Sequence, residues 1–321
     1  MEKEKTQLGH IESLRALAAL MVLVFHFLSF SGVAGFLIGN AELREFSKFG
    51  AQGVELFYII SGFVIYYSLT NTNPADYSYL KYIGKRFARI FPPFLGTLIL
   101  ICVVALIWKG EYPYTPKQIV ENATLTVDLF RDSEWMNPIF VTLKVEFLFY
   151  LVIGFLVIWM RKSPWIYGMI LFLSLLGVLF FHSMDLVHNI PFFVAGIACS
   201  EIYKSKNRTL NAALLASSLF ILFWIFPWED ILVLCIGMIF LLWVKIKSAW
   251  LEWLGQFSYS LYLTHGLSGG LFLFVFKNEH YVNLNSWFAL VLASLVAITF
   301  AYCYYLLIER RAINWSRKIK Y

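Results

Sequence analysis

The chain has 321 residues, of which 60% are hydrophobic and only 14% are charged. Soluble domains are about 45–50% apolar and about 25% charged, so this composition excludes an ordinary soluble domain and indicates a polytopic membrane protein. The net charge of +6 does not indicate a nucleic-acid partner, because the basic residues lie between apolar runs rather than on one face.

Ten apolar runs are long enough to be considered as membrane spans, since about 20 helical residues cross the hydrocarbon core of a bilayer. They predict an all-α bundle of about ten transmembrane helices, built as a single domain over residues 1–321. The predicted spans are 14–36, 50–69, 90–108, 139–160, 164–182, 186–203, 210–226, 230–245, 256–276 and 286–308. The charged start "MEKEK" resembles a signal peptide, but the rest of the chain is membrane-like, so an uncleaved first span is expected.

The distribution of basic residues predicts that both termini are cytoplasmic. With the N-terminus inside, 18 of the 26 Lys and Arg residues fall in cytoplasmic segments and six fall on the opposite side. Cytoplasmic loops of membrane proteins carry this excess of Lys and Arg. The expected location is a bacterial inner membrane.

The first span, "SLRALAALMVLVFHFLSF", carries two ionisable residues that lipid disfavours, Arg15 and His26. Eleven residues separate them, which in a helix is about 16 Å and nearly the same face. Ionisable groups within spans usually face the bundle interior and mark a site. A snorkelling Arg15 and a hydrogen-bonded packing histidine are the alternatives left open.

Two further spans place polar groups at a similar depth. The second contains Glu55, Ser61 and Gly62 in "GVELFYIISGFVIYYS", where the small residues also suit close helix packing. The fourth contains Lys144 and Glu146 in "TLKVEFLFYL". A lone intramembrane glutamate must find a partner or stay protonated, so Glu146 is the most informative carboxylate.

Other polar positions are less specific. His265 lies near mid-depth of the ninth span, in "FSYSLYLTH". His182, Asp185 and His188, between spans five and six, are interpreted as ordinary loop residues. The loop 109–138 fits a lid or a plain connector equally well, and it contains the acids Glu111, Glu121, Asp128, Asp132 and Glu134.

The cytoplasmic segment "YLKYIGKRFARIFPP" concentrates basic residues beside the membrane. Lys85 and Arg89, at i and i+4, are expected to share a helical face, with Arg86 beside them. One interpretation is a topogenic or lipid-headgroup patch. The other is a docking site for a phosphorylated ligand, because Arg binds phosphate oxygens as a fork.

Five stretches together resemble the acyltransferase-3 family of integral membrane acyltransferases. They are "IESLRALAALMVLVFHF", "GVELFYIISGFVI", "KRFARIFPP", "TLKVEFLFYL" and "SYSLYLTH", and their order and distances cover nearly the whole chain. By this resemblance the motif residues of the family correspond to Arg15, His26, Ser61, Gly62, Phe63, Lys85, Arg86, Arg89 and Glu146.

The resemblance implies transfer of an acyl group, with acetyl the expected one, from cytoplasmic acyl-CoA to a hydroxyl of a glycan, lipid or other acceptor. His26 is then the expected general base, with Glu146 to orient it or stabilise its protonated form. Arg15, Lys85, Arg86 and Arg89 would hold the coenzyme phosphates. Glu55, Ser61, Gly62 and His265 would line the site, with His265 on the acceptor side.

Several alternatives remain open at this point. An acyl-histidine intermediate competes with direct transfer. A proton-coupled transporter or flippase also uses intramembrane His and Glu residues, although no internal duplication typical of transporters is found. Acyl-CoA, the acceptor and the bilayer are the expected partners, and the sequence does not decide whether the chain forms a homo-oligomer. Neither a metal nor a permanently bound cofactor is expected, because the four cysteines lie singly in apolar runs.

Overall fold

The computed structural model describes residues 2–30, 47–109, 113–129, 133–278 and 286–320, and in these ranges the chain is helical without any strand. The helices are α1 Glu2–Phe25, α2 Gly53–Asn71, α3 Tyr79–Lys109, α4 Pro116–Ala123, α5 Ile139–Met160, α6 Pro164–Phe181, α7 Asp185–His188, α8 Ile190–Tyr203, α9 Arg208–Ile225, α10 Trp228–Leu242, α11 Ala249–Gly255, α12 Ser258–Thr264, α13 Leu271–Asn278, α14 Ser286–Tyr304 and α15 Arg310–Lys318.

Within the described ranges, seven helical segments are long and apolar enough to cross a membrane. They are Gly9–Leu28, Phe49–Asn71, Tyr79–Trp108, Ile139–Met160, Pro164–Phe181, Arg208–Ile225 and Trp287–Lys318. The chain is therefore an all-helical membrane protein, as predicted. The predicted sixth, eighth and ninth spans correspond to shorter or broken helices, so the count of ten and the cytoplasmic termini stay predictions. Residues 31–36 of the first predicted span lie outside the described residues.

The surface and the interior of the bundle differ as a membrane requires. Large apolar side chains point outward, including Trp165, Phe180 and Ile107, each at least three-quarters exposed. The interior instead buries ionisable side chains, among them Arg86 and Glu309. Since lipid tails solvate the apolar outside, the polar interior marks the functional part of the bundle.

Three helices change locally to the wider π geometry. These segments are His26–Phe30 at the end of α1, Gly266–Gly270 between α12 and α13, and Tyr305–Glu309 between α14 and α15. Single π turns occur mostly at functional sites because they re-aim side chains. An ionisable residue lies in or directly before each of them: His26, His265 and Glu309.

Close contact between α2 and α8 depends on two glycines. A Cβ at Gly62 would lie 2.4 Å from the backbone oxygen of Phe193, and one at Gly196 would lie 2.1 Å from that of Ile59. Small residues let membrane helices approach to backbone contact. Gly62, expected to line the site, instead forms this helix interface.

Hydroxyl groups from the C-terminal helices bind α3 next to its two internal prolines. Tyr259 donates to the carbonyl of Ile90 at 3.0 Å, and Tyr304 donates to that of Pro93 at 2.5 Å. These hydrogen bonds fix the part of α3 that carries the basic segment against the C-terminal half of the chain.

The long connection before α5 is a packed structure rather than a plain connector. Helix α4 begins with a capping box formed by Thr115 and Gln118. The side chain of Asn122 donates to the carbonyl of Glu134 and accepts from the amide of Met136. Lys144 on α5 contacts both Asp128 of this connection and Asp185 of α7. Glu111 and Asp132 lie outside the described residues.

Replacing Gly62 tests the α2–α8 contact. We expect Gly62→Ala to lower the free energy of unfolding by roughly 1–3 kcal/mol, because the new methyl group meets backbone that cannot rotate away. Thermal unfolding of the detergent-solubilised protein measures the effect. The matched control is Gly177→Ala on α6, where no atom lies within 4 Å of the added Cβ. Equal stability of the two variants would contradict the assignment.

Candidate functional site

A polar cavity of about 100 Å³ lies between α1, α2, α3, α5 and α12. Its polar lining residues are Arg15, Tyr58, Ser61, Arg86, Arg89, Thr142, Glu146, Tyr150, Tyr259 and Tyr262. Three guanidinium groups, one carboxylate and several hydroxyls thus converge from five helices. The structure brings together five of the residues singled out in the sequence.

The carboxylate of Glu146 is held by two hydroxyl groups. Ser61 donates to its Oε1 at 2.5 Å, and the phenol of Tyr150 donates to the same atom. These bonds join α2 to α5 across the cavity. The expectation that Glu146 orients His26 differs from these contacts. Its hydrogen-bond partners are Tyr150, one turn along α5, and Ser61 on α2.

The three arginines form the positively charged part of the cavity. Arg86 is buried, with its guanidinium carbon 5.4 Å from the ring centroid of Tyr82 and 5.8 Å from that of Tyr150. Arg89 is repelled by both Arg15 and Arg86. A bound anion with several oxygens would relieve this repulsion and take up the guanidinium donors.

Arg86 and Arg89, rather than Lys85 and Arg89, share the face of α3 that lines the cavity. They are three residues apart, whereas Lys85 is rotated about 100° from Arg86 around the helix. Lys85, expected among the phosphate ligands, lies outside the cavity lining. Its place as a coenzyme ligand stays a prediction.

Glu309 places a buried carboxyl group near the arginines. It is 3% exposed and accepts hydrogen bonds from the amide and the hydroxyl of Ser260. Its carboxylate interacts electrostatically with Arg15 and Arg89. The π turn at Tyr305–Glu309 thus places a counter-charge from the C-terminal helices next to a cluster assembled from α1 and α3.

His26 and His265 form a second polar group outside this cavity. Their ring centroids lie 4.8 Å apart with the ring planes inclined by 57°. Tyr262 links the two groups, since it lines the cavity, exchanges a 2.5 Å hydrogen bond with Thr142 and accepts one from His265 through its carbonyl.

A backbone carbonyl fixes the tautomer of His26. Its Nδ1 lies 2.9 Å from the carbonyl oxygen of Val22. A carbonyl can only accept, so in the neutral ring Nδ1 carries the hydrogen and Nε2 carries the lone pair. The lone pair of His26 is therefore on Nε2, the atom that would accept a proton. The carbonyl of Val22 holds the ring at Nδ1, the role expected for Glu146 from the sequence.

Glu55 also lies outside the cavity lining, although its chain neighbours contribute to it. Val54 and Phe57 face the cavity, whereas the carboxylate of Glu55 interacts with that of Asp230 on α10. Helical rotation between adjacent residues explains the difference. The expectation that Glu55 lines the site is therefore corrected for this cavity.

The residues between α6 and α8 have structural roles. Asp185 binds Lys144, and the ring of His188 lies 4.3 Å from that of Phe226. Burial lowers the pKa of His188 because the charged form loses hydration. His188 is therefore favoured in its neutral form.

Six contributors were not predicted from the sequence: Tyr58, Thr142, Tyr150, Tyr259, Tyr262 and Glu309. Tyrosine is frequent in this chain, with 18 copies, so no single one attracts notice. Glu309 has a sequence signal, because it is a lone acid at the end of the last apolar run. Because Arg310 and Arg311 follow it, the sequence instead indicates that Glu309 lies at the cytoplasmic end of the last span.

Comparisons with known proteins point to one family. A family model described as an acyltransferase domain matches residues 8–306 of the chain. Acyltransferase MdmB of Streptomyces mycarofaciens is 28% identical over 173 residues, which cover 51% of this chain and 43% of that protein. The matched segment thus spans less than half the length of this relative. No solved structure matches the chain.

Replacing Glu309 tests its role as counter-charge. Glu309→Gln keeps an oxygen for Ser260 but removes the acidic group, so we expect the free energy of unfolding to fall by roughly 1–3 kcal/mol, because Arg15 and Arg89 lose an electrostatic partner. Thermal unfolding measures the loss, and added coenzyme A should stabilise the variant more than the wild type. Glu134→Gln, at an exposed position, is the control. Unchanged stability of Glu309→Gln would contradict the assignment.

Proposed function

Since this chain belongs to the acyltransferase-3 family of membrane acyltransferases, we propose that it transfers an acetyl group from cytoplasmic acetyl-CoA to a hydroxyl of a cell-surface or exported glycan. The observation that carries the proposal is the convergence of three arginines on one cavity, Arg15 from α1 and Arg86 and Arg89 from α3. The proposed location is the bacterial inner membrane.

The arginine cluster fits the phosphate-bearing part of the donor substrate. Arg15, Arg86 and Arg89 offer fork-shaped donors in a region where like charges already repel one another. A phosphorylated ligand would be attracted to this cluster and would neutralise it. Arg15 and His26 are eleven residues apart on α1, about 16 Å, so an extended pantetheine arm could run along this helix.

The cavity at the arginine cluster is small compared with the donor substrate. A dry cavity of about 150 Å³ accepts a molecule as small as benzene, and this cavity is about 100 Å³. It has room for a few water molecules, but not for the coenzyme itself. Donor binding therefore requires side chains of the arginine cluster to move apart.

Transfer needs a base, a polarised thioester and a good leaving group. The acceptor oxygen attacks the thioester carbonyl carbon, the C–O bond forms and the C–S bond breaks. His26 Nε2 takes the hydroxyl proton and passes it to the departing thiolate. An acyl group carried on His26 Nε2 is the alternative sequence of the same bond changes.

Replacing His26 tests the proposed base. We expect His26→Ala to lower acetyl transfer at least about 100-fold, the usual contribution of a general base, with acetyl-CoA affinity retained. Purified protein, labelled acetyl-CoA and a hydroxyl-bearing glycan provide the assay, with exposed His182→Ala as control. Equal transfer by His26→Ala and wild type would exclude this base. Passage of the glycan across vesicles without acylation would favour a transporter.

Replacing Arg86 or Arg89 tests the donor site. We expect either change to alanine to weaken coenzyme A binding roughly tenfold or more, because hydrogen bonds to charged groups contribute about 1.5–3 kcal/mol. A binding titration in detergent measures this, with Lys81→Ala as control because Lys81 is exposed on the same helix. If the affinity for coenzyme A is unchanged in both variants, the basic segment of α3 instead has a topogenic or lipid-binding role.

A further inference from the structure

His265 is a buried histidine that the proposed transfer does not yet use. Its side chain is 1% exposed and lies outside the cavity lining. It directly precedes the π turn Gly266–Gly270, while His26 begins the π turn His26–Phe30. Two π turns on different helices therefore meet at the two imidazole rings, 4.8 Å apart.

The backbone also fixes the tautomer of His265. Its Nδ1 lies 3.1 Å from the carbonyl oxygen of Leu261 and 2.8 Å from that of Tyr262. Both carbonyls can only accept, so Nδ1 carries the hydrogen and Nε2 carries the lone pair. This Nε2 is buried and has no hydrogen-bond partner in the part of the chain that the structure describes.

A buried acceptor without a partner costs free energy and requires an explanation. In the neutral pair both imidazoles hold their hydrogen on Nδ1, so neither has one on Nε2 to offer the other. A proton on His26 Nε2 would offer a hydrogen to this acceptor, since the two rings are neighbours with centroids 4.8 Å apart.

Among the residues that the structure describes, His26 is the titratable group whose ring lies against that of His265. The ring of Phe27 lies 6.4 Å from that of His265. Tyr262, on the same helix, has its ring 6.3 Å away and its hydroxyl engaged with Thr142. Helix α14, packed against this π turn, contains no Asp, Glu, Lys, Arg or His. The backbone of α14 at Ala293 packs closely against Gly269 of the π turn, since a Cβ added at Gly269 would lie 2.5 Å from the carbonyl oxygen of Ala293.

We propose that His265 is a positioning residue for His26 in acyl transfer: its Nε2 accepts a hydrogen bond from His26 once His26 has taken the acceptor's proton. The proton is held between the two rings while the C–O bond forms and the C–S bond breaks. It then passes to the coenzyme sulfur, so no oxidant or further reactant is needed. This inference rests on the proposed function, because it assigns the partner of the same base.

Two variants of similar polarity separate this role from packing. His265→Gln places an acceptor oxygen near the position of Nε2, whereas His265→Asn reaches only the region of Nδ1. Each variant places one side-chain amide at the same buried position, so we expect the two variants to change the free energy of unfolding by similar amounts. Thermal unfolding and coenzyme A titration show whether each variant is intact.

The expected result is a difference between the two variants in turnover. His265→Asn should lower kcat about 10- to 100-fold with the KM for acetyl-CoA within twofold of wild type, while His265→Gln recovers most of the rate. The acidic limb of the pH profile of His265→Asn should move to lower pH, because protonated His26 without its acceptor releases the proton more readily. With His26→Ala present, His265→Asn should cause no further loss.

Three outcomes would overturn the inference. The inference is excluded if His265→Asn keeps the kcat and the pH profile of the wild type. It is also excluded if His265→Asn and His265→Gln lose the same amount of activity with an unchanged pH profile, because that result indicates a packing role alone. In both cases transfer by the wild type leaves the proposed function in place. Absence of transfer by the wild type would instead overturn the proposed function, and this inference with it.

Discussion

The placement of three guanidinium groups inside an apolar bundle, Arg86 buried and Arg15 and Arg89 half-buried, is the constraint on which the rest of the structure depends. Each charge loses hydration when it leaves water, and neighbouring like charges repel. The protein offsets this cost with the carboxylate of Glu309 and with the aromatic faces around Arg86. These contacts fix the relative positions of the N-terminal helices, the proline-containing helix α3 and the last helix. Fold and site are thus held by the same interactions.

In the proposed reaction, the histidine that takes the proton lies apart from the arginines that bind the phosphates. A positive charge beside an imidazole opposes its protonation, so a base works better at a distance from an arginine cluster. Here backbone carbonyls accept hydrogen bonds from both histidine rings. Arg15 lies on α1 and His26 directly follows this helix. Tyr262 contacts both regions, because it lines the cavity and its carbonyl accepts from His265.

The sequence predicts the helical membrane class and half of the polar lining of the cavity. Arg15, Ser61 and Glu146 are polar residues within apolar runs, and Arg86 and Arg89 belong to a basic segment beside one, so all five are local signals. The partner of Glu146 could not be predicted, since it depends on how α2 and α5 are rotated about their axes. The contact of His26 with His265 joins residues far apart in the chain through π turns, which leave no periodic signal. The π turn Gly266–Gly270 also interrupts the ninth predicted span, 256–276, and the sequence pattern gives no sign of it.

The contact of Lys144 with Asp128 and Asp185 lies in a different electrostatic environment from the arginine cluster. The two aspartate side chains are 46% and 45% exposed, whereas Lys144 is 14% exposed. Dissolved ions screen exposed charges over about 8 Å at physiological ionic strength and act much less on buried ones. The connection before α5 is therefore held by a contact whose strength follows the salt content of the medium. The buried charges keep their arrangement independently of that medium.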